Sequence, residues 1–305
     1  MLLLVISCQK TPNDVLRDAV QDAGAGNYEG AEDKFRWLLQ KSPDDDRLKA
    51  NLAFMLTKEN KHAEAIALYQ QLIKSGDGTY DLFAYYADSL QASGNDEEAI
   101  AWDYRALAVA PTLVDVRGKL AKLLVKTDRP YEALTLLASF DGNLEQQGHA
   151  PYFSGQRIAI QSSLPETASV DTLTMRSPKL ESHFYAVVFG KNDAAVPFMI
   201  DTGASYITMS NRTLTKLGFE VPGNARRVVM MTADRRKVDG RMFQLRHIRV
   251  GPFALDNVAV VVSDNAMPLL GQSALDRFDL NTQKISNTEF LTLSQRAGTP
   301  SAMVH

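Results

Sequence analysis

The chain has 305 residues and a single cysteine, Cys8, so no disulfide can close within it. No apolar run approaches the roughly 20 residues needed to span a bilayer as a helix. Neither sign of charge dominates: 33 Lys and Arg face 36 Asp and Glu, for a net charge of −3. With no stripe of cations interleaved with aromatics, nucleic acid is not an expected partner. Five histidines are present, and no His/Glu/Asp spacing suggests a metal site. His183 and His247 stand in strand-like runs and read as incidental. No metal and no cofactor are expected. What remains is an ordinary globular composition, 45% hydrophobic and 23% charged, on a chain long enough for two domains.

Met1 to Ile6 is apolar and ends in the small residue Ser7 and Cys8. Val5-Ile6-Ser7-Cys8 resembles the lipobox of bacterial lipoproteins, which implies cleavage before Cys8 and acylation of that residue. The run is short and has no positive n-region, so residues 1–12 are read as a truncated lipoprotein signal or tether. The resemblance implies a periplasmic protein tethered to the membrane by acylated Cys8. If the run is only a frayed terminus, the alternative is a cytoplasmic chain.

Residues 13–147 repeat. Ala31, Ala65, Ala99 and Ala133 are each 34 residues apart, and so are Ala19, Ala53, Ala87 and Ala121. A 34-residue period with helix–turn–helix patterning resembles the tetratricopeptide repeat (TPR). Small residues at these columns let paired helices approach closely, and larger ones such as Leu56, Tyr69, Leu90 and Leu124 fill the space between pairs. No pair buries its own apolar face, so neighbours must stack. Three repeats are clear, and the fourth, near 115–145, is irregular. The resemblance implies a groove for a protein partner. Tyr85, Tyr86, Trp102 and Tyr104 are candidates to line it, although helical spacing favours the core for them.

Residues 148–180 form a seam broken by Gly148, Pro151, Gly155, Pro165 and Pro178. Within it, 157–161 and 169–175 alternate weakly like strands, either as a linker or as the first strands of the next domain. From 181 to 295 the texture changes to short strands. Val196 to Ile200 runs into Asp201-Thr202-Gly203-Ala204-Ser205, a buried strand ending in a turn for which Gly203 supplies conformational freedom. An Asp at a turn is most often only a turn former. Arg226–Thr232 and 238–245 read as a hairpin. Then comes Leu269-Leu270-Gly271, followed by the short helix signal Gln272 to Phe278. Residues 296–305 are expected to be a disordered tail.

This order resembles the bacterial retropepsin-like aspartic proteases (clan AA). The fold class expected is therefore multidomain: an all-α TPR array followed by an all-β retropepsin-like acid protease barrel. The resemblance implies roles for particular residues. Asp201 is the catalytic carboxylate, and Thr202, Gly203 and Ala204 support its loop. Met231, Thr232, Ala233, Asp234 and Arg235 belong to a flap that covers substrate, and Leu269, Leu270 and Gly271 pack behind the loop. Arg235, Arg236 and Lys237 at the flap tip read as solvated charge rather than as a preference for acidic substrates.

The chemistry needs two carboxylates that share a proton, the pairing for which aspartic proteases are the standard example. The chain has no second apolar-Asp-Thr/Ser-Gly; Val238-Asp239-Gly240 lacks the hydroxyl residue. The second Asp201 is thus expected from a second copy in a twofold homodimer. Two departures from the family pattern matter. Ser205 and Gln272 are neutral where retroviral members pair an acid with an arginine; a Ser205–Gln272 hydrogen bond is the weaker substitute. Ala204 has no hydroxyl to donate toward the carboxylates, which predicts a less acidic optimum than in members with Ser or Thr there. The reading is an aspartic endopeptidase acting on peptide or protein substrates recruited by the TPR array. The alternative is a non-catalytic TPR-plus-barrel scaffold.

Overall fold

The computed structural model describes residues 10–164, 174–231 and 235–296. Cys8, flap residues Thr232, Ala233 and Asp234, most of the 169–175 run and nearly all of the 296–305 tail lie outside them. The chain divides into two compact units, 1–113 and 114–305. The change of periodicity near 147 and this division do not coincide.

The first unit is three antiparallel helix pairs: α1 (Pro12–Gly24) with α2 (Tyr28–Lys41), α3 (Asp46–Lys58) with α4 (His62–Ser75), and α5 (Tyr80–Ala92) with α6 (Asp96–Val109). Local sequence sets their starts. The Thr11 hydroxyl accepts from the Asp14 N–H while the Asp14 carboxylate accepts from the Thr11 N–H, a capping box that satisfies otherwise unpaired donors. Asp45 caps α3 in a similar way through the N–H groups of Arg47 and Leu48. The alanine columns are fully buried, as close helix packing requires. Thr57 Oγ1 joins the buried hydroxyls of Tyr69 and Ser89 at 3.1 and 3.0 Å, so these three hydroxyls satisfy one another. Tyr86, Trp102 and Tyr104 are core residues. Tyr85 is half-buried, its ring 4.5 Å from that of Phe54.

The second unit starts with α7 (Val114–Lys126), α8 (Pro130–Gln146) and α9 (Ser154–Ser162). The strand expected over 157–161 lies within α9: Arg157-Ile158-Ala159-Ile160-Gln161 is too short for a period of two to be told from one of 3.6. Gly155 lies 34 residues after Ala121, so α9 continues the small-residue column and occupies the sequence position of a fifth repeat's first helix. Twelve strands come next among the described residues: β1 (Thr174–Leu180), β2 (His183–Phe189), β3 (Ala195–Ile200), β4 (Ile207–Met209), β5 (Arg226–Met231), β6 (Lys237–Leu245), β7 (Ile248–Val250), β8 (Phe253–Leu255), β9 (Val258–Val262), β10 (Leu269–Leu270), β11 (Phe278–Ile285) and β12 (Thr288–Gln295). Two short helices, α10 (Asn211–Lys216) and α11 (Gln272–Leu275), lie between strands. The sheet order is β11-β12-β1-β2-β3-β10-β4-β9-β6-β5, with β7 and β8 branching from β2. Helical repeats followed by a β-rich part is the order the two textures predict.

One helix explains why β2 and β3 are apolar on both faces. Ala186, Val188, Val196 and Phe198 enter the core between the strands. Val187, Phe189 and Pro197 alternate with them and face α8. The Val187 N–H donates to Thr135 Oγ1 at 3.2 Å, the rings of Phe189 and Tyr131 meet edge-on at 6.3 Å, and Pro197 touches Gly142. Tyr131, Thr135 and Gly142 fall on one helical stripe. Because α8 packs on α7 with its other side, every residue from 132 to 138 is buried. Buried ion pairs frame it: Arg176 to Glu132 at 3.1 Å and Arg157 to Asp141 at 3.0 Å.

Candidate active site

The apolar strand β3 delivers Asp201 at its end. Two neighbouring segments fix that end. Leu269 and Leu270 lie parallel to Met199 and Ile200, and the Asp201 N–H donates to the Leu270 carbonyl at 3.0 Å. Leu269 pairs on its other side with Thr208 of β4. Leu-Leu is thus the filling strand between the two arms of the Asp201 loop, and Leu270 is fully buried. This is a packing reason for two apolar residues 68 and 69 positions after the aspartate.

The loop itself is tight. Asp201 Oδ1 accepts the Gly203 N–H at 2.9 Å, and the Asp201 carbonyl accepts the Ala204 N–H at 3.2 Å. Gly203 does not have positive φ, so its freedom to turn is not what the loop uses. A Cβ there would stand 3.2 Å from the Asp201 carboxylate oxygen, so the glycine keeps that approach open. Gly271 is the more constrained position: a Cβ would lie 2.3 Å from the Tyr206 carbonyl oxygen and 2.5 Å from that of Ala204. Only a residue without a side chain lets the chain pass there.

Asp201 and Ala204 are half-buried, whereas Thr202, Gly203, Ser205 and Tyr206 are exposed. A polar loop on rigid strands with its tip in solvent is open to contact with another molecule.

The expected Ser205–Gln272 side-chain bond is replaced by another. Gln272 Nε2 donates to the Thr202 carbonyl at 2.7 Å, while the Gln272 and Ser273 N–H groups donate to the carbonyls of Ala204 and Ser205. Ser273 is a site residue that sequence reasoning missed. Its hydroxyl accepts the Ile207 N–H at 2.9 Å and donates to the Ala259 carbonyl at 2.8 Å, tying the loop to β9. A serine on the first turn of the helix after Leu-Leu-Gly was the available signal.

The hairpin forms as expected from β5 and β6, with Met231 opposite Lys237. Met231 and Val229 are its exposed large hydrophobic residues, at 68% and 64%. Arg235 has φ 62°, the left-handed conformation of a tight turn. Asp239, in the fragment that failed as a second motif, is an exposed hairpin residue whose carbonyl accepts from Ser263 Oγ at 2.6 Å. His183 and His247 are exposed; His247 Nδ1 lies 2.7 Å from Asp256 Oδ1. Among the described residues no group of three His, Cys, Asp or Glu side chains could hold a metal.

Residues 186–274 match the aspartyl protease family. The matched segment runs from β2 through the Asp201 loop and the hairpin to the helix after Gly271, so it spans the whole of the site just described. No curated protein matches significantly. Among solved structures, part of the chain is similar to a retropepsin-like aspartic protease from Rickettsia conorii, at 24% identity over 42% of this chain and 96% of that one, with a TM-score of 0.33. Another part is similar to MamA from Desulfovibrio magneticus RS-1, at 15% identity over 45% of this chain and 76% of that one, with a TM-score of 0.40. The first TPR of Spaghetti (RPAP3), bound to an HSP90 peptide, is similar at 17% identity over 38% of this chain and 93% of that one, with a TM-score of 0.36.

Proposed function

We propose that the protein is an aspartic endopeptidase in which Asp201 from each of two copies forms the catalytic dyad. The observation that carries this reading is the Asp201 loop, locked from behind by Leu269-Leu270-Gly271 within a segment matching the aspartyl protease family. One carboxylate of the dyad accepts a proton from water as the water attacks the scissile carbonyl. The other, protonated, donates to the carbonyl oxygen. Each chain supplies one Asp-Thr-Gly, and the exposed Thr202 and Gly203 offer polar groups for a second copy of the loop. The hairpin of β5 and β6, including Met231 and Arg235 and the segment between them, acts as the lid that excludes water. The helical array recruits the protein substrate or a partner. Acylated Cys8 would tether the protein in the periplasm, raising the local concentration of chains that must pair.

The test is cleavage of a peptide library by wild type and by Asp201→Asn, with mass measured by ultracentrifugation at several concentrations. Loss of cleavage in the variant, and wild-type specific activity that rises with dimer fraction, support the reading. Equal cleavage by both proteins rejects the mechanism. Activity from a strict monomer rejects the shared dyad. The pH–rate profile tests the consequence of Ala204: an optimum in the strongly acid range would contradict the expected less acidic one.

A further inference from the structure

Arg157 joins the helices to the strand that carries Asp201. Its Nη1 donates to Asp141 Oδ2 at 3.0 Å, and its Nη2 donates to the carbonyl of Ala195 at 2.9 Å. Ala195 is the first residue of β3, and Asp201 follows the last. Asp141, on α8, is wholly buried. Its other oxygen accepts the N–H groups of Tyr152 and Phe153 at 2.9 and 3.0 Å, so the carboxylate is held from two directions before it meets the guanidinium. A second contact from α9 acts on the same segment: Gln161 Nε2 donates to the Asp193 carbonyl at 2.7 Å.

We propose that Arg157, oriented by Asp141, is a positioning residue for the Asp201 strand. The proposal rests on the reading of Asp201 as a catalytic carboxylate. A six-residue strand is stiff along its length. Its far end is tied to Leu270; its near end, where Ala195 pairs with Phe189 of β2, is held in addition by the fork of Arg157. A planar guanidinium addresses two acceptors at once in fixed geometry, which an ammonium cannot do. Two carboxylates that share a proton demand closer placement than stability alone does, because misplacement of about 1 Å can cost on the order of 100-fold in rate. The helices thus act on the chemistry from behind the sheet, without touching substrate.

The experiment uses the full chain and a peptide that wild type cleaves and Asp201→Ala does not. Arg157→Ala, Arg157→Lys and Asp141→Asn are compared with Glu145→Ala. The last breaks the 2.7 Å ion pair from α8 to Lys216 on α10 and leaves β3 untouched. Arg157→Ala is expected to lower kcat about tenfold with KM unchanged, to be partly rescued in Arg157→Lys, and to speed amide exchange over 196–201. Glu145→Ala is expected to leave kcat within about twofold and exchange in that strand unchanged. The proposal is overturned if folded Arg157→Ala keeps wild-type kcat, or if Glu145→Ala loses kcat to the same degree. Should Arg157→Ala not fold, Arg157→Lys and Asp141→Asn decide: wild-type kcat in both overturns it. Absence of any cleavage sensitive to Asp201→Ala would instead reject the enzymatic reading. The exchange measurement would still reject the anchoring of β3 if its protection were unchanged.

Discussion

Gln272 donates its side-chain amide to the main-chain carbonyl of Thr202 at 2.7 Å, across 70 residues of sequence. With the N–H groups of Gln272 and Ser273 on the carbonyls of Ala204 and Ser205, it makes the short helix α11 a brace for the Asp201 loop. Charged partners at 205 and 272 are therefore not needed to hold this loop within its own chain. A neutral amide holding a carbonyl does so without a buried charge.

Gln272→Ala removes that brace. The Thr202 carbonyl is left to solvent, so the stability loss is expected to be about 1 kcal/mol. A larger relative effect is expected on turnover, a several-fold fall in kcat, because the loop loses its fixed geometry. Chemical denaturation and steady-state kinetics on the same preparation separate the two.

Gly271→Ala forces a methyl group into two backbone carbonyls at 2.3 and 2.5 Å. Neither carbonyl can move without displacing the Asp201 loop. The expected loss is above about 3 kcal/mol, beyond the common range for a single substitution. Thermal unfolding followed by circular dichroism reads this; a midpoint within a few degrees of wild type contradicts it.

The β-rich part depends on the helices that precede it. Val187 and Phe189, both about 1% exposed or less, lose their cover when α8 is removed, and Arg176 loses its buried partner Glu132. A fragment of residues 114–305 is expected to give a dispersed amide NMR spectrum. One of residues 174–305 is expected to be unfolded or aggregated.

In the repeats, burial pushes the Glu32 carboxyl upward, but the neighbouring Glu59 carboxyl and the cations of Lys61 and Arg36 outweigh it and hold Glu32 down from 4.5 to about 2. Lys61 and Arg36 stand 2.7 and 2.6 Å from its oxygens. A depressed carboxylate stabilises the fold fully above its unfolded value. The contribution is lost as pH falls from about 4.5 toward 2. Glu59 is raised by the neighbouring Glu32 carboxyl and by burial, so its own contribution has the opposite sign and is present at low pH. Urea denaturation of wild type between those limits is expected to slope downward on acidification. Glu32→Gln should flatten the slope.

The 34-residue spacing of Ala31 through Ala133, and the run from Phe198 to Ser205 followed by Leu269-Leu270-Gly271, were legible because they arise from local needs. Small residues permit close helices, and an apolar strand must end where a polar turn begins. The hairpin was legible from its alternation. The helix at 157–161 was not, because five alternating residues fit both periods. Gly155 does extend the small-residue column, yet a glycine in a proline-bearing seam reads first as a breaker. Gln272 was assigned the wrong partner because side-chain reach across 70 residues is set by how α11 is held.

The sequence by itself determined that repeats precede a β-rich segment with a carboxylate at the end of a buried strand. Its continuous apolar runs at 186–189 and 195–200 also required a cover on both faces of β2 and β3. The tertiary structure alone decided what that cover is. Helix α8 packs on α7 with one side and lays the stripe of Tyr131, Thr135 and Gly142 against the sheet with the other. Hydrophobic burial is non-directional, so the pattern demands a partner without naming one. The directional bonds of Thr135, Asp141 and Arg157 select it, and they form only once the chain has folded back on itself.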